Sequence, residues 1–113
     1  MNVDALRALE KAVEAGSVGQ FRNLDSEFGH DNGIAAKRAY NGSLDAAMAL
    51  HEAVLPGWVA RPQIGGKGAG VEFWHCTIEE WDSGEEVEAN NMPDPARAWL
   101  LAIVRALIAQ ATE

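Results

Sequence analysis

Basic residues are scarce in this chain. Nine lysines and arginines stand against seventeen aspartates and glutamates in 113 residues, a formal net charge of −8. A surface that acidic repels phosphate backbones, so direct nucleic-acid binding is not expected. Cysteine is scarcer still: Cys76 is alone, which excludes an internal disulfide and fits a reducing, cytoplasmic setting. There is no run of about 18 apolar residues, so no membrane span is expected. The opening Met1-Asn2-Val3-Asp4 lacks the basic start and apolar core of a secretion signal. Metal-ligand spacing is missing as well. His30, His51 and His75 make no His-x-x-x-His pair, and Cys76, next to His75, points to the opposite face of a strand. Neither a metal nor a cofactor is expected.

What remains is ordinary globular composition, 48% hydrophobic and 23% charged. The length suits one domain over residues 1–113 with one modest core. Val3 to Ala15 reads as a helix, because Val3, Leu6, Leu9 and Val13 recur at three- and four-residue spacing and Gly16 provides a stop. Signals thin out over 17–42. Gln20 to Phe28 and Gly33 to Tyr40 read as short helices, with Asp31-Asn32-Gly33 and Asn41-Gly42 as turns.

The clearest signals lie in 43–111. Ser43 caps a helix whose Leu44, Ala47, Met48, Val54 and Leu55 share a face, and Pro56-Gly57 ends it. Trp58 to Ile64 reads as a strand, at a sheet edge on account of Pro62. Gly65 to Gly70 reads as a hairpin loop, and Val71 to Trp81 as a central strand with apolar groups on both faces. Asp82-Ser83-Gly84 turns into a short strand, Glu85 to Ala89. Asp94 and Pro95 then open a last helix with an unusually wide apolar surface: Trp99, Leu100, Leu101, Ile103, Val104, Leu107 and Ile108. Such a surface calls for a deep sheet contact or a second molecule, and the latter makes a homodimer an expectation. The fold class implied is α+β: a small antiparallel sheet with helices packed on both faces.

Two stretches carry the resemblance to a known family. They are Ser43-Leu44-Asp45-Ala46-Ala47-Met48-Ala49-Leu50 running into Val54-Leu55-Pro56-Gly57-Trp58, and the segment from Pro93-Asp94-Pro95-Ala96-Arg97-Ala98-Trp99 on to Ala109. Together they resemble the phage ABA-sandwich domain family over roughly residues 43–110. The resemblance implies a sheet between helical layers and an origin in a bacteriophage or prophage. It carries no catalytic residues across.

Sites of chemistry are few. Gly65 to Gly70 is not a P-loop, since Lys67 is followed by glycine rather than Ser or Thr, and by a strand rather than a helix. His51 falls inside the apolar stripe of its helix. With His75 and Lys67 it forms a candidate ligand pocket, and a small-molecule or nucleotide-sequestering dimer is the alternative reading. No nucleophile–base pair is evident, because adjacent strand residues such as His75 and Cys76 cannot converge. The chain is therefore read as non-enzymatic. Charge pattern says more. From Gly68 to Ala96 there is no Lys or Arg against eight acids, and six of those are Glu79, Glu80, Asp82, Glu85, Glu86 and Glu88. With Trp81 they form a candidate partner-binding surface for a basic host protein, in the manner of a counter-defence inhibitor.

Overall fold

The computed structural model describes residues 3–16, 28–68 and 71–112, with backbone alone at 63–68, 71–73 and 91. Among these residues four helices and three strands follow in the order α1 (Val3–Ala15), α2 (His30–Tyr40), α3 (Leu44–Val54), β1 (Trp58–Gly68), β2 (Val71–Glu80), β3 (Glu86–Met92) and α4 (Pro95–Ala111). The helix expected over Gln20 to Phe28 lies almost wholly outside the described residues.

The caps work as their sequences imply. Ser43 Oγ accepts from the Ala46 amide at 3.1 Å and Asp94 Oδ1 from the Arg97 amide at 2.7 Å. Each satisfies an amide that the first helical turn leaves without a partner. Helix α1 buries Leu6, Leu9 and Val13 and ends at Gly16, whose φ of 71° is left-handed and favours glycine. Helix α2 starts a turn earlier than expected. Asp31-Asn32-Gly33 is its first turn rather than a loop: the Gly33 amide bonds the Gly29 carbonyl at 2.8 Å, and Asp31 sits at the positive end of the helix. Helix α3 is rotated from the face read in its sequence. Ala46, Ala47, Leu50 and His51 are buried, while Leu44 and Met48 are exposed.

The sheet is an antiparallel meander, β1-β2-β3, with β2 in the middle. Strand β1 continues through the glycines to Gly68, paired with Val71, so Gly65 to Gly68 is strand rather than loop. Glycine withholds no backbone hydrogen bond, and a register irregularity between Ile64 and Gly66 absorbs one residue. Strand β3 runs to Met92, three residues beyond the expected end.

Register sorts the side chains. Ala60, Ile78 and Val87 share one face with Cys76 and Ala89, and this face is the core side. Helix α4 lies along it, meeting all three strands, and presents its other sides to α1, α2 and α3. From Ala98 to Val104 every residue of α4 is buried. Its wide apolar surface is thus consumed within one molecule, and the argument for a dimer through this helix falls away. The domain is α+β, with helices packed on a small antiparallel sheet. Helix α4 lies between the sheet and the remaining described helices. Among the described residues no helix spreads across the opposite sheet face, which carries Val59, Arg61, Thr77, Glu79, Glu86 and Glu88. An antiparallel sheet tolerates water on one side.

Candidate interaction surface

Residues between β2 and β3 form a tightly closed turn. The Glu80 amide bonds the Glu85 carbonyl at 2.8 Å and the Gly84 amide bonds the Glu80 carbonyl at 2.9 Å. Ser83 Oγ accepts from the Glu85 amide at 3.1 Å, and Gly84 takes a φ of 71°. The Trp81 amide bonds the Gly57 carbonyl at 3.1 Å, extending the β1–β2 ladder by one step into the turn. Opposite Trp81, then, is a glycine with no side chain. The indole is 76% exposed, more than any other large apolar group in the described residues.

Acidic residues surround it unequally. Glu79 and Glu86 are direct cross-strand partners, a like-charge pairing that costs a few tenths of a kcal/mol, about 0.2–1. Arg61 relieves it from the other side through an ion pair to Glu79 at 3.3 Å, largely solvated and worth at most about 1 kcal/mol. Glu88 lies one row further on, opposite Thr77. Asp82 is exposed in the turn, and Glu85 is half-buried. Glu80 pairs with Trp58 and so belongs to the core-side face. Of the seven partner-binding candidates, Glu79, Glu86 and Glu88 share the open face, Trp81 and Asp82 stand at its end, and Glu80 and Glu85 support the turn. Arg61 and Val59, the latter 40% exposed, complete this face. Sequence reasoning missed both, because their place depends on the β1–β2 register, which the length of the glycine hairpin sets.

The three pocket candidates are not brought together. His51 is buried between α3, β1 and α4, and both of its ring nitrogens are engaged. Trp99 Nε1 donates to Nδ1 at 3.1 Å, which fixes the proton on Nε2, and Nε2 donates to the Trp58 carbonyl at 2.7 Å. The indole meets the imidazole edge-on, 5.8 Å between ring centres. This histidine is a brace joining three elements. His75 lies on the other face of β2, and its Nδ1 is buried without a hydrogen-bond partner. Lys67 pairs with Glu72 in the hairpin arm, its side chain outside the described residues. Cys76 is fully buried, and desolvation pushes its thiol up from 9.0 to about 12. A thiol so placed is a poor nucleophile at neutral pH. Among the described residues no group of three or more His, Cys, Asp or Glu side chains is arranged to hold a metal ion. None of the described helices is long and apolar enough to cross a membrane.

Comparison with protein families, with characterised proteins and with solved structures finds no match to this chain. Its function has to be read from the surface itself.

Two measurements check the buried groups. Replacing His51 by Phe keeps the bulk but orphans the Trp99 N–H and the Trp58 carbonyl. Stability is expected to fall by about 2–4 kcal/mol in urea titration, and a loss under about 0.5 would contradict the brace. The raised thiol makes stability pH-dependent with a defined sign. Below about pH 9 the thiol is protonated in both states and its contribution is complete. Between about 9 and 12 the unfolded chain loses the proton first, and stability falls by up to about 1.4 kcal/mol per pH unit. A Cys76→Ala variant should lack that share of the alkaline decline; identical alkaline limbs would show the thiol to be accessible.

Proposed function

We propose that this chain is a non-enzymatic binding protein that docks its β2–β3 turn and the adjoining sheet face onto a basic surface of another macromolecule. The observation that carries the reading is Trp81, 76% exposed on a turn closed by its own hydrogen bonds and set among carboxylates. A large aromatic group in water is a standing cost. Buried in a partner's pocket, such a group is worth about 2 kcal/mol or more. Carboxylates around it steer a cationic partner at long range and discourage acidic ones. A rigid turn loses little conformational freedom on binding, which favours affinity.

A basic host surface that ordinarily holds nucleic acid is the kind of partner this face fits. That is the setting of a phage or prophage accessory protein, the origin that the motif resemblance implies, and counter-defence inhibition is the role we assign to it there. No catalytic role is assigned to any side chain.

The test is charge reversal at constant fold. A Glu79→Lys, Glu86→Lys double variant should lose at least tenfold in affinity for a partner captured at fixed stoichiometry from a bacterial lysate. Its urea midpoint should fall only slightly, because the two lysines keep a like-charge cross-strand pair and the Arg61–Glu79 ion pair is lost, each worth about 1 kcal/mol or less on this solvated face. Binding that survives the double reversal unchanged would remove the reading.

A further inference from the structure

Two Asn-Gly steps occur in the sequence, Asn32-Gly33 and Asn41-Gly42. Such a step is able to modify itself. The backbone nitrogen of the glycine attacks the side-chain amide carbon of the asparagine. A new C–N bond closes a cyclic imide, and the side-chain nitrogen leaves as ammonia, carrying off the proton of the attacking N–H. Water then opens the ring at either carbonyl. One opening gives aspartate. The other gives isoaspartate, in which the main chain runs through the side-chain carbon and is longer by one methylene. Water is the only co-reactant, and nothing is oxidised or reduced. Glycine favours the attack because it has no Cβ to obstruct the nitrogen and little φ preference to hold the peptide still.

The fold treats the two steps differently. Asn32-Gly33 lies in the first turns of α2, where Gly33 is buried and its N–H is bound to the Gly29 carbonyl at 2.8 Å. Bringing that nitrogen onto the Asn32 side chain means unwinding the start of the helix. Asn41-Gly42 lies beyond the last turn of α2, in the link to α3, and both residues are exposed. Asn41 is the cap residue, with a ψ of 11°, and Gly42 takes a φ of 105°. Two bonds restrain this step. Asn41 Nδ2 donates to the Lys37 carbonyl at 3.0 Å, and the Gly42 N–H to the Ala39 carbonyl at 3.0 Å. Both belong to the carboxyl end of a helix, which opens by fraying while the core stays folded. We infer that Asn41 is a site of spontaneous, self-catalysed modification, and that α2 shields Asn32 from the same reaction. The product acts on the α2–α3 junction. It sets a carboxylate against the partial negative charge at the end of α2 and removes the donor to the Lys37 carbonyl. Isoaspartate goes further, because it lengthens the link from Asn41 to Ser43. The amide of Ser43 bonds the Arg38 carbonyl at 2.9 Å, and its hydroxyl caps α3.

Ageing the native chain in warm, mildly alkaline buffer tests this, with a second sample held unfolded in urea. Trypsin cuts after Lys37 and Arg38, so the two steps fall on different peptides and mass spectrometry reads each conversion separately. Electron-transfer fragmentation then tells isoaspartate from aspartate. In the folded chain Asn41 should convert at least about tenfold faster than Asn32, since only its step opens without unwinding a helix turn. In urea the two rates should converge, because the fold no longer separates them. Equal rates in the folded chain, faster conversion of Asn32, or an Asn41 that stays intact while the unfolded sample converts overturns the inference. The isoaspartyl fraction, purified, should unfold at lower urea than an Asn41→Asp variant, which carries the same charge on a main chain of normal length. Matching midpoints would overturn the effect on the α2–α3 junction.

Discussion

Helix α4 is wrapped by protein along most of its length, and the rest of the structure is arranged around meeting that condition. A helix buried on every side has no water to satisfy its polar side chains, so each must find a partner as the layers close. Arg105 reaches Glu10 and Glu14 on α1 and the Glu88 carbonyl on β3. Trp99 donates to His51 on α3. Arg97 turns its guanidinium toward the Tyr40 carbonyl and over the Tyr40 ring, 4.2 Å from its centre, at the end of α2. Each of these three side chains therefore names a neighbouring element, and Arg105 names two. Apolar burial supplies most of the free energy, while these bonds select which helix lies where.

The same arrangement explains why the proposed docking surface lies where it does. With α4 taking one face of the sheet and the other described helices behind it, Arg61, Glu79, Glu86 and Glu88 fall on the second face. Strand β3 is held from beneath by Arg105 on the Glu88 backbone, so the Glu88 carboxylate stays free to face outward. Gly57 lies in the turn between α3 and β1 and leaves room opposite Trp81. One glycine with a φ of 91° thus ties the end of the helix to the presentation of the tryptophan. The buried core and the proposed docking surface occupy opposite sides of one thin sheet.

Much of this was legible in the sequence wherever a local rule had no competitor. Ser43, Asp94, Pro95 and Gly16 marked their helix ends because capping depends on near neighbours alone. Alternation along Trp74 to Ile78 sorted the faces of β2. Long-range outcomes were not legible. Leu44 and Met48 looked like core, but the position of α3 against α4 is set partly by the His51–Trp99 bond, between residues 48 apart in sequence. The glycines read as a loop because their permissiveness suits turns, yet pairing with β2 holds them as strand. The acidic stretch around Trp81 was visible as a charge pattern alone. Val59 and Arg61 needed the β1–β2 register, which no local pattern carries.

Hydrogen–deuterium exchange, followed segment by segment on the free chain and on the chain bound to its captured partner, tests the central claim most directly. That claim is a rigid core around α4 holding an acidic turn ready for docking. In the free chain the α4 amides should exchange slowest, through global unfolding alone. On binding, new protection should be confined to 79–88 and the neighbouring residues of β1. Fast exchange in α4, or protection that falls elsewhere and leaves 79–88 unchanged, would contradict the account.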